Sequence, residues 1–248
     1  MKVRVKYAKT GPLKFISHLD VMRYFQKSIR RAGLDIAYST GLSPHEIISF
    51  AAPMPLMLTS EAEYFDAEFH SLPSHDEFVQ RLNDAGTPFM RVLDAAILPD
   101  KALNSMAAVT ASAYQVTLTE KGEAEQGAVW KSDYPEMIRK LNEESEIVVV
   151  KKTKKKEEPT DIRPMIHRLE YREAASMLYM LLAAGSKVNL RPEQILAELC
   201  NRKGIVYDRF HYDILRLETY MDGPKLSEEE AGEGRFVPLI EAGSRDFS

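Results

Sequence analysis

The chain has 248 residues, 44% hydrophobic and 28% charged, with a formal net charge of -4 and a single cysteine, Cys200. These values describe an ordinary globular protein of one large or two small domains. They exclude an intrachain disulfide and any iron–sulfur cluster or zinc site built on several thiolates of these residues.

The opening residues, MKVRVKYAKTG, alternate apolar and basic side chains, which predicts a half-buried strand over 2–8 and no signal peptide. Ser17 and Asp20 have the spacing of a capping box at the start of a helix. Leu19, Met22, Phe25, Ile29 and Ala32 follow at helical spacing, and Gly33 supplies the stop. Strands are predicted over 46–51 and 61–69, the latter with Phe65, Ala67 and Phe69 toward the core. A helix capped by Ser74 carries Phe78 and Leu82 and stops at Gly86, and a fourth strand covers 89–95. The order is βαββαβ, a split ferredoxin-like unit.

The second half repeats this pattern more loosely. It has strands over 112–119, 147–152, 177–183 and 213–219, a helix from Asp133 to Asn142 with Pro135 in its first turn, and a helix over 192–200. The expected fold is therefore α+β: tandem ferredoxin-like units with antiparallel sheets over residues 1–104 and 105–221. Residues 222–248 hold seven acids against three bases and lack an apolar period, which predicts a flexible, dispensable acidic tail. No apolar run is long enough to span a bilayer, and a cytoplasmic location is expected.

Three segments, YAKTGPLKFISHLD (7–20), RRAGLDIAYSTGLSPHEIISFAAPMPL (30–56) and SEAEYFDAEF (60–69), resemble the N-terminal half of the radical-SAM-linked domain family. A shorter match is DIRP (161–164). In that family a basic residue usually follows the Pro-His pair, whereas Glu46 follows His45 here. The resemblance implies an accessory chain that works with a radical SAM protein. One cysteine cannot supply the three thiolates a radical SAM cluster needs, so the chain is not itself such an enzyme. The tandem pattern with an N-terminal histidine is also similar to that of CRISPR repeat-processing endoribonucleases.

Charge is unevenly distributed. Residues 1–60 hold nine Lys or Arg and three acids, 9 − 3 or +6. Arg23, Lys27 and Arg30 fall at i, i+4 and i+7, a basic stripe opposite the apolar face of the first helix. With Lys9 and Lys14 they are candidates for holding RNA phosphates. Lys2, Arg4 and Lys6 alternate on an open sheet face where Asp66 and Glu68 would neutralise them. Lys151, Lys152, Lys154, Lys155 and Lys156 form a second basic run, and Asp161 and Arg163 could pair to close its loop. His18 and His45 are the candidate acid–base residues for a metal-independent RNA-processing enzyme. Asp20 is explained by its cap. The histidines lack a metal-binding spacing, and neither a metal nor a cofactor is expected. The reading that follows is an accessory protein binding RNA or another anionic substrate. The alternatives are an RNA-processing enzyme using His18 or His45, and a protein-binding scaffold.

Overall fold

A computed structural model describes residues 1–152, 157–186, 188–223 and 236–247. Its elements are β1 (Lys2–Lys9), α1 (His18–Arg31), β2 (Ile48–Phe50), β3 (Thr59–Glu68), α2 (His75–Asp84), β4 (Val92–Ile97), α3 (Ser105–Ala108), β5 (Ala111–Leu118) and α4 (Glu120–Ser132). There follow α5 (Tyr134–Glu143), β6 (Val148–Lys152), β7 (Glu157–Asp161), β8 (Ile166–Arg172), β9 (Met177–Ala183), α6 (Pro192–Arg202), β10 (Tyr212–Asp222) and β11 (Phe236–Pro238). The fold is α+β with antiparallel strand pairing throughout the registers below. The chain divides into one compact unit of Met1–Thr110 with Glu218–Ser248 and another of Ala111–Leu217. The division therefore falls after 110 and after 217 rather than after 104 and 221. Residues 105–110 stay with the first unit because Ser105 donates its N–H to Asp66 and Thr110 donates its own to Tyr220.

In the first unit the elements come in the order βαββαβ. β1 pairs with both β3 and β4, and β2 pairs with β3. Val3, Val5 and Tyr7 point into the core, as the alternation of β1 requires, and meet Phe25 and Ile29 of α1 and Phe78 and Leu82 of α2. Ser17 and Asp20 form the capping box: Ser17 accepts from the Asp20 N–H while Asp20 accepts from the Ser17 N–H. Leu19 departs from the expected apolar face. The buried stripe is Val21, Phe25, Ser28 and Ile29, which turns Leu19 outward with 60% of its surface exposed.

The other face of β1 is not open. Arg4 stands opposite Asp66, as the strand pairing predicts, and its Nε and Nη2 donate to the two Asp66 oxygens at 2.8 and 3.1 Å. Arg4 is nevertheless fully buried, because the carbonyls of Leu103 and Leu239 close over it and accept one proton each from Nη2 and Nη1. Lys2 also lies 3.8 Å from Asp66, and Lys6 pairs with Glu218 at 2.5 Å.

Leu239 belongs to the segment expected to be a flexible tail, and that expectation fails for residues 236–247. β11 adds to β10, Leu239 and Ile240 are buried, and Ser244 exchanges two backbone hydrogen bonds with Ile97. Arg245 clamps Asp94 with two N–H donors, and the Phe247 ring packs on Phe78 and His75. A segment this short shows no periodicity, yet two buried aliphatic side chains and an ion pair with two N–H donors on one Asp94 oxygen suffice to dock it. Residues 224–235, the acidic part of that segment, lie outside the described residues.

In the second unit β9 is flanked by β5 and β8, with Ala113 opposite Leu181 and Leu169 opposite Met180. Leu178, Met180 and Leu182 are buried, as are Trp130, Tyr134, Ile138 and Leu141 of α4 and α5. Cys200 is buried too, its Sγ 3.1 Å from the Tyr212 hydroxyl. Two expectations change here. The strand at 147–152 exists as β6, but it pairs with β7 in a separate two-stranded sheet. The strand beside β9 is instead β8. Asp161 and Arg163 serve one turn through the backbone rather than through each other. Asp161 accepts from the N–H of Ile147 and Arg163, while the Arg163 guanidinium donates to the carbonyls of Asn142, Glu144 and Ile166. Lys154, Lys155 and Lys156 lie outside the described residues.

The helix α4 was not legible, since its sequence, EKGEAEQGAVWKS, carries two glycines and few apolar side chains. Gly122 explains part of this. Thr119 caps the helix by accepting from the Gly122 N–H, and any Cβ at 122 would run into the His211 carbonyl oxygen. Gly122→Ala is therefore expected to destabilise the protein by about 1–3 kcal/mol, although alanine is the better helix former. Chemical denaturation would measure it. An unchanged or raised midpoint would show that α4 shifts away from His211 without cost.

Candidate nucleic-acid interface

The basic stripe of α1 is present as expected. Arg23, Lys27 and Arg30 are all exposed. Arg23 lies 4.0 Å from Asp20, and Arg30 lies 3.2 Å from Glu46 and donates to the Gln26 carbonyl. Lys27 has no ion pair among the described residues. The Arg23 contact is on the surface, where an ion pair is worth about 0–1 kcal/mol and exchanges readily for a phosphate, whereas Arg30 reaches from the surface to the buried Glu46. Leu19 stands at the start of the same face. Just before the helix, Phe15 is 59% exposed, with the Lys14 ammonium 5.5 Å from its ring centre. Phe89 is also exposed, and its ring covers Gly11 at the beginning of the same turn. Exposed aromatic rings among cations are the equipment of single-strand binding, because bases stack on the rings while phosphates meet the charges.

Lys9 is not part of this surface. It is only 3% exposed, because it continues the inward parity of Val3, Val5 and Tyr7 along β1. There it lines a pocket with Tyr7, His18, Phe50, Met54, Glu63 and Tyr64. His18 enters from the first turn of α1, half-buried, with its ring edge-on to Phe50 at 5.3 Å. Burial holds the His18 pKa below its ordinary value; the Glu63 carboxylate opposes this and the Lys9 ammonium adds to it. The imidazole is therefore neutral at neutral pH. Burial and the adjacent Glu218 carboxylate push the Tyr64 phenol far up, so it stays a hydrogen-bond donor, to Glu218 at 2.7 Å.

His45 is not in this pocket. It is exposed, with Nδ1 2.9 Å from the Ser39 hydroxyl. Asp20 is exposed at the head of α1, and hydrogen bonds from the Ser17 hydroxyl and N–H hold its pKa down, helped by Arg23. It is a cap rather than a base. Glu63 was missed although it shares the parity of Phe65 and Ala67 and so lies on the core-facing side of β3, where it is buried. Phe15 was missed because a lone aromatic in a Gly-Pro turn has no period. Among the described residues no group of three or more His, Cys, Asp or Glu is placed to hold a metal, and no helix is long and apolar enough to cross a membrane.

The chain matches no curated protein. Its residues 2–192 match a family described as an uncharacterized protein conserved in bacteria (DUF2344), a span that takes in β1 to β9, the stripe and the pocket. The match covers well over half of the 248 residues, and the chain therefore belongs to that family.

Proposed function

We propose that this protein is a binding module, without catalytic activity of its own, that holds a single-stranded RNA for a radical SAM partner. The observation that carries the RNA reading is the exposed face of α1, where Arg23, Lys27 and Arg30 line up with Leu19 and the solvent-exposed Phe15. The partner rests on the resemblance of residues 7–20, 30–56 and 60–69 to the radical-SAM-linked domain family. The whole-chain charge of -4 opposes an anion at long range. It is screened beyond roughly 8–10 Å at physiological salt, so the local stripe decides. The histidine pair considered for a ribonuclease does not meet, because His18 is half-buried beneath α1 while His45 is exposed and hydrogen-bonded to Ser39.

Fluorescence anisotropy with a labelled RNA tests this. Wild-type protein should bind at low salt, with affinity falling steeply as salt rises. Replacing Arg23, Lys27 and Arg30 together with Ala removes three candidate phosphate contacts. This should flatten the logarithmic salt slope by roughly 2, at about 0.7 per contact on a single strand. Melting should change little, since all three side chains face solvent. Equal binding by wild type and triple variant would reduce the stripe to a solvated surface, and a protein-binding scaffold would become the better reading. Co-purification with a radical SAM protein from the native host tests the partner.

A further inference from the structure

Arg23 and Lys27 begin a row that the helix continues. Residues four apart on α1 stack in one ridge, each about 6 Å further along the axis, so the next member of the row is Arg31. Arg30 turns instead to the buried Glu46. Arg31 is exposed, donates to the Ser28 hydroxyl at 3.1 Å and forms no ion pair among the described residues. A guanidinium has five N–H donors, so most of its capacity is left over.

Arg31 opens onto a groove of about 910 Å³ between the C-terminal ends of α1 and α2, large enough for a nucleotide. Arg81 and Asp84, both exposed, line it from α2. Arg81 is tied one turn back to Glu77 by a surface pair, which exchanges readily. The floor is fixed. The Tyr24 hydroxyl of α1 accepts from the Thr87 N–H at 2.9 Å and donates to the Met90 carbonyl at 3.4 Å. A Cβ on Gly86 would meet that hydroxyl at 2.3 Å, so glycine lets the 86–87 turn lie against α1.

Arginines in the last turn of a helix are ordinary, since they offset its dipole. Asp84 is not. It ends α2, where a carboxylate faces the negative end of the dipole, and it forms no ion pair among the described residues. A charge set against its local field without a compensating partner is what a functional site looks like. Two guanidiniums offer forked donors to a phosphate, and a free carboxylate accepts a hydroxyl. A phosphate with a ribose hydroxyl beside it presents that combination. We propose that the Arg31–Arg81–Asp84 groove is a ribonucleotide subsite, in which the guanidiniums hold a phosphate and Asp84 accepts the ribose 2′-hydroxyl. It receives the strand that leaves Arg23 and Lys27, and so rests on the RNA-binding reading above.

The test uses the full chain with isotopically labelled arginine for NMR. Cytidine 5′-monophosphate, its 2′-deoxy counterpart and phosphate-free cytidine are titrated separately. Both monophosphates should shift the Arg31 and Arg81 Nε–H signals saturably, and cytidine should not. The ribose form should bind about fivefold tighter, the worth of one hydrogen bond. Asp84→Asn should remove that preference. If it tightens both forms equally, Asp84 only repels phosphate and the hydroxyl contact is overturned. In parallel, Arg31→Gln with Arg81→Gln should flatten the salt slope for labelled RNA by roughly 1.4, at about 0.7 per contact. If RNA binds the wild type while neither monophosphate moves the two signals, or while the double variant keeps the full slope, the subsite is overturned and the RNA reading stands. If the monophosphates move both signals but RNA does not bind, the subsite stands and the RNA reading falls. The titration on wild-type protein needs no variant, so a double variant that fails to fold leaves the decision to it.

Discussion

A chain ended after Gly223 should melt roughly 10 °C or more below the full-length protein. Leu239 and Ile240 are buried in the first unit, and losing each removes about 1.5–3 kcal/mol of apolar burial. The Leu239 carbonyl also accepts from Arg4 at 3.1 Å inside a buried site, and an unmet charged donor there costs about 1–3 kcal/mol more. The Arg245 clamp on Asp94 and the packing of Phe247 on Phe78 go with them. The sum, about 4–9 kcal/mol, is comparable with the whole stability of a typical domain, about 5–15 kcal/mol. Leu239→Ala in the full-length chain isolates the largest part and should cost about 2–5 kcal/mol. Differential scanning calorimetry on the three proteins decides the matter. Coincident melting curves for the truncated and full-length chains would mean that residues 236–247 rest on the first unit without stabilising it.

Asp66→Ala should be nearly as damaging from a single side chain. Asp66 takes two hydrogen bonds from the fully buried Arg4 and a third from the Ser105 N–H at 2.7 Å, with the Lys2 ammonium 3.8 Å away. Removing the carboxylate leaves a guanidinium in the interior with only carbonyl partners, a loss of about 3–5 kcal/mol. Replacing both partners, Arg4→Met with Asp66→Leu, should recover much of this, because no charge is then left unpaired. It should not recover all of it, because the Ser105 N–H stays without an acceptor, at about 1–3 kcal/mol. Urea denaturation of the two single variants and the double variant gives the coupling directly. A single Asp66→Ala variant within about 0.5 kcal/mol of wild type would show that Arg4 finds another anion or water, and that the pair is not what fixes this face.

Local signals identified the elements well. The alternation of Val3, Val5 and Tyr7, the Ser17–Asp20 box, the Ser74 cap and the glycine stop at Gly33 each depend on neighbours within a few residues, and each stands in the structure. The outward direction of Arg23, Lys27 and Arg30 follows from the same helical period. The pairing of Arg4 with Asp66 was legible as well, because antiparallel register across a βαββαβ unit places them opposite each other. The candidate site was legible in part: its cations and His18 were named, whereas Glu63 and Phe15 were not, and Lys9 was assigned to the wrong surface.

What residues near one another in the chain can express is therefore element type, capping, facing and local charge. The remaining decisions needed partners far away in sequence. Lys9 and Glu63 share the core-facing parity of Val3, Val5 and Tyr7 on β1 and of Phe65 and Ala67 on β3, and the elements packed over that face decide that these charged side chains stay buried. Residues 236–247 are fixed by Arg4, Asp94 and Ile97, more than 140 residues earlier, so nothing in their own short pattern announces order. The strand β6 has the β-branched composition of a core strand, yet among the described residues it pairs with β7 alone, since composition sets strand propensity and not the neighbour that completes the ladder. Burial is a property of the three-dimensional neighbourhood. The chain itself states where a side chain can point, and the packed fold alone states what it meets there.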